Sequence, residues 1–174
     1  MRSLRPAPAA LVVMAAFAVM AVLVVMAVIA VMAGPARAGN PPFGVWFTQD
    51  YDGALELYPC GEGELCGRLV WMADESPPPG TEGLPRDVKN PDPARRDHTL
   101  CGLEMMRGFR PETDDLWSGG TIYNPDDGHD YHAELRVQGP VALGMRGYIL
   151  TPLLGQTEIW TRVPADFTLR CREK

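Results

Sequence analysis

The segment Trp117–Val137 constrains the fold of this chain more than any other, because it contains a complete strand–turn–strand unit. The chain should reverse at Asn124–Gly128, where proline presets one turn dihedral, Asn and Asp side chains cap the backbone, and glycine accepts a positive φ. Apolar and polar residues alternate along Tyr131–Gln138, the pattern of a strand that is wet on one face. Gly119 and Gly120 indicate a sharp bend, or a group that closely approaches the backbone. The unit predicts a small antiparallel β domain whose sheet curls.

The first 38 residues have the features of an export signal. Two arginines precede an uncharged apolar run, Ala9–Ala33, and Ala36-Arg37-Ala38 is the small-x-small motif that signal peptidases read. We therefore predict a signal helix that is cleaved after Ala38, and a periplasmic or secreted protein. The run is longer than the roughly 7–15 residues usual in a cleaved signal and could span a bilayer. An uncleaved anchor is the alternative, and it would be the only part of the protein to contact a membrane.

The exported part, residues 39–174, has the length of a single domain. Removal of residues 1–38, which contain three arginines and no acidic residue, would change the formal charge from −6 to −9. Binding to nucleic acid or to anionic lipid begins with the neutralisation of phosphates by Lys and Arg. The acidic balance therefore predicts that neither is a partner.

All four cysteines lie in the exported part, where an oxidising compartment allows disulfides to form. Four cysteines permit three pairings. We favour Cys60–Cys66, because the spacer Gly61–Glu64 has the composition of a hairpin tip and would bring the two together. Cys101–Cys171 then remains, and it would tie the C-terminal tail to the body of the domain. A zinc site is disfavoured because there is no Cys-x-x-Cys pair and histidine is scarce, so we predict neither a metal nor a cofactor.

Short segments with the composition of strands recur along the exported part, and most of them are separated by turn residues. The eight predicted strands are 43–48, 54–60, 65–72, 98–109, 115–123, 129–138, 141–150 and 156–163. Eight short strands joined mainly by tight turns predict an all-β protein, either an up-and-down antiparallel barrel or a two-sheet sandwich. We favour the barrel, because closure removes the exposed edges of a sheet.

The proline-rich loop 73–97 interrupts this series. Repeated prolines exclude a helix or a central strand there, because they remove backbone donors and fix φ. A long irregular loop in a small domain often has a function. We interpret it either as a solvated surface flap or as a lid over a binding mouth.

A series of short motifs follows the order of a known family. The motifs include Gly44-x-Trp46, Leu65-Cys66-Gly67, Lys89-Asn90-Pro91-Asp92, Gly108-Phe109, Trp117-x-Gly119-Gly120, Tyr123-Asn124-Pro125, Gly147-Tyr148 and Trp160-x-Arg162. This order resembles the exported bacterial proteins of domain-of-unknown-function family 2147 (DUF2147) across nearly all of residues 39–174. The resemblance implies a lipocalin-like, or calycin-like, barrel, and it implies no activity and no catalytic residue.

Trp46 and Arg162 also resemble a pair found in lipocalin-type barrels, where a first-strand Trp and a last-strand Arg stack at the closed end. The resemblance predicts that the two side chains touch. A desolvated cation–π contact of this kind would contribute about 1–2 kcal/mol.

The sequence contains no motif for nucleophilic catalysis. The serines of the exported part, Ser76 and Ser118, lie outside any Gly-x-Ser-x-Gly elbow, which favours a non-catalytic protein over a periplasmic hydrolase. Inward aromatic side chains of a small barrel can hold one apolar ligand, or they can simply fill the core. The candidate ligand-binding residues are the aromatics on the predicted strands: Trp71, Trp117, Tyr123, Tyr131 and Tyr148. We predict an exported barrel that binds a small apolar or amphiphilic molecule, with a cell-envelope structural or protein-interaction module as the alternative.

Overall fold

A computed structural model describes residues 41–74, 76 and 83–169. The predicted signal segment 1–38, part of the proline-rich loop and Cys171 lie outside the described residues. Among the helical segments of the described ranges, none is long and apolar enough to cross a membrane.

Eight antiparallel strands form a closed barrel in which each strand pairs with the next and the last pairs with the first. The strands are β1 (Gly44–Phe47), β2 (Gly53–Gly61), β3 (Glu64–Met72), β4 (Glu104–Pro111), β5 (Leu116–Asn124), β6 (His129–Val137), β7 (Ala142–Tyr148) and β8 (Gln156–Arg162). Two short 3-10 turns, Pro93–Arg95 and Pro152–Leu154, lie in connections. The prediction of an eight-stranded up-and-down barrel is confirmed, and the sandwich is excluded.

The fourth strand begins at Glu104, so the predicted start at His98 was wrong. The residues before it pair with the preceding loop: Asp87 N–H donates to the His98 carbonyl at 2.9 Å, and Leu100 N–H donates to the Pro85 carbonyl at 2.9 Å. These bonds use the backbone groups that the predicted extension of the strand would have needed.

The inner face of the barrel follows from the strand register, because residues directly opposite each other project to the same face. Trp46 lies opposite Leu55, and Leu143 lies opposite Trp160. The buried residues that form the core cluster on this face are Trp46, Leu55, Leu57, Leu65, Leu69, Met106, Phe109, Trp117, Ala133, Leu135, Leu143, Met145 and Trp160. Burying each large side chain of this set contributes roughly 1.5–3 kcal/mol.

Two glycines that flank Ala133 differ in how tightly they are packed. Gly120 on β5 and Gly147 on β7 both lie opposite Ala133, so all three share the inner face. A Cβ added at Gly120 would lie 2.3 Å from Cδ2 of Phe109, whereas one added at Gly147 would meet no atom within 4 Å. The inner face is therefore tightly packed at Gly120 and open at Gly147.

The confirmed disulfide, Cys60–Cys66, joins the end of β2 to β3 with the Cα atoms 5.7 Å apart. Cys101 is also disulfide-bonded. Its predicted partner, Cys171, lies outside the described residues. The β2–β3 hairpin is thus closed covalently at the tip that the sequence identified.

Substituting Gly120→Ala should lower the free energy of unfolding by about 1–3 kcal/mol, because the new methyl group would overlap the Phe109 ring. The matched control is Gly147→Ala, which adds the same methyl group into open space. Urea denaturation of both variants would measure the difference. Equal losses of stability would contradict the proposed difference in packing.

Candidate functional site

One end of the barrel is sealed by the contact between Trp46 and Arg162. The two residues pair across β1 and β8, and the guanidinium carbon of Arg162 lies 4.1 Å from the centre of the Trp46 ring. Arg162 also donates from Nε to the Pro140 carbonyl at 2.7 Å and from Nη1 to the Phe43 carbonyl at 3.0 Å. Trp46 Nε1 donates to the Pro42 carbonyl at 2.8 Å. These bonds join the segment before β1, the first and last strands, and the β6–β7 connection. We call this end of the barrel the closed end.

At the opposite end, the β3–β4 loop packs against the barrel through a buried carboxylate. Asp87 in this loop is 1% exposed and Asn90 is 8% exposed. The Tyr123 hydroxyl on β5 donates to Oδ1 of Asp87 at 2.6 Å, and Asn90 Nδ2 donates to Oδ2 at 2.6 Å. Each carboxylate oxygen therefore accepts a hydrogen bond, which offsets part of the cost of burying a charge.

The same loop also contacts the β5–β6 turn. Lys89 Nζ donates to the Asp126 carbonyl. Gly128 has a φ of 77°, and a Cβ there would lie 2.1 Å from the Lys89 carbonyl oxygen. Any side chain at position 128 would therefore push the loop away from the barrel.

The sequence analysis did not identify the hydrogen-bonded group of Asp87, Asn90 and Tyr123, although the sequence contains a signal for it. Asn90 belongs to the Lys89–Asp92 motif, which was recognised without a role for its amide. That amide both donates to Asp87 and accepts a hydrogen bond from the Asp92 N–H at 2.9 Å. Asn side chains often hydrogen-bond the backbone of their own turn, so an Asn in a proline-rich loop indicates that this part of the loop is ordered.

Only part of the candidate aromatic set lies inside the barrel. Trp117 lies opposite Leu135, and Tyr131 lies opposite Ile122, so both share the inner face with the core cluster. Tyr123 lies on the outer face, where the β3–β4 loop covers it. The assignment of ligand contacts to Trp117 and Tyr131 stays a prediction.

The other two candidates, Trp71 and Tyr148, also lie on the outer face. Trp71 lies opposite Ala54, because a register shift after Ala54 changes which β3 residues point inward. Its ring contacts Phe47 and Phe167, each at 5.4 Å between ring centres. Tyr148 lies opposite His132 and stacks on it at 5.7 Å. The structure therefore does not bring the five aromatics together.

A carboxylate that the sequence analysis did not single out lies on the inner face. Glu158 on β8 lies opposite Met145, and its Oε2 accepts a hydrogen bond of 2.9 Å from Nε1 of Trp160. The Trp160-x-Arg162 motif could have identified it, because an inward Trp46–Arg162 pair fixes which β8 residues point inward. Because Ile159 and Trp160 are adjacent and both apolar, the sequence of β8 does not show a clear alternation of inward and outward residues.

The turn between β5 and β6, which contains Asp126 and Asp127, is held by internal hydrogen bonds. Asp127 accepts from the Tyr131 hydroxyl at 2.6 Å and from the His129 N–H at 2.9 Å. The bond from Tyr131 is the main cause that lowers the pKa of Asp127. In the ranges that the structure describes, no three His, Cys, Asp or Glu side chains group as a metal site would require.

Substituting Tyr123→Phe should loosen the β3–β4 loop and lower the free energy of unfolding by about 1–3 kcal/mol, because Asp87 loses a donor in a buried site. Burial, followed by the hydrogen bond to Asp87, raises the pKa of Tyr123. Its contribution is therefore complete below the unfolded-state pKa of about 10 and is lost as pH rises further. Urea denaturation from pH 7 to pH 11 should show the two proteins converging in stability at the alkaline end.

The control for this substitution is Tyr148→Phe, which removes a hydroxyl that makes no hydrogen bond to any residue in the described ranges and keeps the stack on His132. This variant should match the parent protein at every pH. A pH-independent difference between the parent and Tyr123→Phe would contradict the assigned role of the phenol.

Comparisons with known proteins agree with this architecture. The family model described as "Uncharacterized protein conserved in bacteria (DUF2147)" matches residues 44–162, from β1 to β8. No curated protein gives a significant match. Among solved structures, the chain is similar to protein HP1028 from Helicobacter pylori, described as belonging to the lipocalin family, with a TM-score of 0.61 and 20% identity. The match covers 71% of this chain and 83% of that one. At this identity, the similarity shows the fold alone.

Proposed function

Because the chain belongs to the DUF2147 family and closes into a lipocalin-like barrel, we propose that it is a non-catalytic protein that binds one small apolar or amphiphilic molecule inside the barrel. One observation carries the proposal: the inner face is open at Gly147, while the equivalent position across Ala133 is filled by Phe109. Small barrels hold single ligands in such internal spaces. The space would admit a ligand from the end opposite Trp46 and Arg162.

We further propose that the protein works outside the cytoplasm. The oxidised state of Cys60, Cys66 and Cys101 supports this location, because cytoplasmic thiols are normally kept reduced. The predicted signal in residues 1–38 supports it independently. The proposed protein is therefore a binding protein of the periplasm or of the extracellular space.

Filling the open space beside Gly147 should weaken ligand binding. We expect the parent protein to bind the neutral fluorescent probe N-phenyl-1-naphthylamine with a rise in emission, and Gly147→Leu to bind it at least about tenfold more weakly, because the new side chain would occupy the ligand's volume. Fluorescence titration would measure both affinities, and thermal unfolding would establish that the variant is folded.

The matched control is Val141→Phe, which adds bulk at an exposed position of the closed end and should bind the probe like the parent. Failure of the parent protein to bind any probe, or equal binding by Gly147→Leu, would refute the proposed function.

A second candidate function, contact with a lipid surface, is favoured by the β7–β8 connection, residues 149–155. We call this connection the apolar finger. Its aliphatic side chains Ile149, Leu150, Leu153 and Leu154 are 71%, 80%, 90% and 75% exposed, and it contains no charged residue. Exposed apolar patches of this kind mark interaction sites. The finger follows Gly147 on β7 and precedes β8, so it lies at the same end as the open space.

The size of the finger favours a bilayer over a protein as its partner. A stable protein interface buries about 800 Å² on each partner, more than four side chains at one hairpin tip supply. A short uncharged apolar segment can instead enter the boundary between headgroups and acyl chains. We propose that the finger rests there, so that a ligand can pass between the bilayer and the barrel. This proposal departs from the expectation of the sequence analysis, which confined any membrane contact to the N-terminal segment, because the exposed finger was not recognised from the sequence.

The double variant Leu153→Ser/Leu154→Ser should bind zwitterionic phosphatidylcholine vesicles at least about tenfold more weakly than the parent, because each leucine withdrawn from an apolar environment costs roughly 1.5–3 kcal/mol. Vesicle co-sedimentation would measure the change, with Val141→Ser as a control that removes an exposed aliphatic side chain from the closed end. A parent protein that ignores vesicles but forms dimers through the finger, seen by analytical ultracentrifugation, would replace the bilayer with a second copy of the chain.

A further inference from the structure

Glu158 places a carboxylate inside the barrel. It lies two residues before Trp160, which is 1% exposed, and opposite Met145 in the core cluster. Side chains two apart on a strand project to the same face. The hydrogen bond from Trp160 Nε1 to Glu158 Oε2 requires the same orientation. The carboxylate is therefore directed at the interior.

This carboxylate has no cationic partner among the residues that the structure describes. The ion pairs of those residues involve other acids, and within the described ranges the only hydrogen bond to the Glu158 side chain comes from Trp160. The inward cation on the same strand, Arg162, is four residues away, roughly 13 Å along an extended chain. It is held at the closed end by the ring of Trp46 and two carbonyls.

The nearest arginine on the neighbouring strand is engaged on the outer face. Arg146 lies opposite Thr157, donates from Nη1 to the Thr157 hydroxyl at 2.6 Å, and donates from Nε to the Pro152 carbonyl at 2.6 Å. A carboxylate offers about four acceptor positions, and the Trp160 N–H uses one. Glu158 can therefore accept further hydrogen bonds from a group inside the barrel.

We propose that the molecule held by the barrel carries a cationic donor, such as a protonated amine, that pairs with Glu158, while its apolar body occupies the space beside Gly147. Gly147 lies opposite Gln156, two residues before Glu158 on the same face, so the open space and the carboxylate are adjacent. Charge-assisted hydrogen bonds to a carboxylate are stronger than neutral ones, and a ligand carboxylate at this position would be repelled. This inference rests on the proposed binding function and names its ligand class as cationic amphiphiles.

The test compares three probes that share a twelve-carbon chain: dodecylamine and dodecanoate, each below its micelle concentration, and dodecanol below its solubility limit. Their affinities are measured by displacement of N-phenyl-1-naphthylamine. We expect dodecylamine to bind the parent protein about tenfold or more tightly than dodecanol, and dodecanoate to bind most weakly. In Glu158→Gln, which keeps an acceptor for Trp160, the amine and the alcohol should bind within about twofold of each other, while dodecanol affinity stays unchanged.

The matched control is Glu134→Gln, the same substitution on the outer face opposite Arg146, which should keep the full preference for the amine. Equal binding of all three probes by the parent, or an amine preference that survives in Glu158→Gln, would overturn the role of Glu158 and leave the binding function standing. Failure of the parent to bind the fluorescent probe would instead remove the binding function, and this inference with it.

Discussion

The seam between β1 and β8 is the constraint on which the rest of the molecule depends. Its ladder pairs Trp46 with Arg162 and Phe47 with Thr161, and one further backbone bond runs from the Val163 N–H to the Val45 carbonyl at 2.9 Å. So short a ladder contributes little on its own, and the stacking of Arg162 on Trp46 and its bonds to two carbonyls reinforce it. Without the seam the sheet would have two open edges and no interior. Glu158 would then be an ordinary surface carboxylate.

Packing on the inner face of the closed barrel is uneven. Near Phe109, the interior is so dense that Gly120 leaves no room for a methyl group, whereas Gly147 on the other side of Ala133 faces open space. The dense packing around Phe109 specifies how the strands pair. The open space at Gly147 is therefore compatible with a well-defined strand register. The acceptor that faces this space, Glu158, is positioned by Trp160, which belongs to the packed core.

Local sequence signals predicted the elements of the fold but not all of their orientations. The strand count, the turn at Asn124–Gly128 and the Cys60–Cys66 bridge could be read because their causes lie within a few residues. Trp71 projects outward because the β2–β3 register shifts between Leu69 and Trp71, where β3 carries one residue more than β2, and a simple period-two reading of the sequence does not reveal this shift. The bond between Asp87 and Tyr123 joins residues 36 positions apart, and only the folded chain brings them together. Glu158 escaped notice because two adjacent apolar residues beside it obscure the period-two pattern.

The apolar finger is braced directly on the strand that borders the open space. Arg146 on β7 donates to the Pro152 carbonyl in the finger, and Gly155 at its end is so close to the Gly147 carbonyl that a Cβ there would lie 2.5 Å from the oxygen. A molecule seated beside Gly147 would thus press on the base of the finger. If a bound ligand changed the affinity of the protein for a bilayer, the bilayer would change the affinity for the ligand by the same factor. Ligand binding inside the barrel and membrane binding by the finger would then share a single coupling free energy.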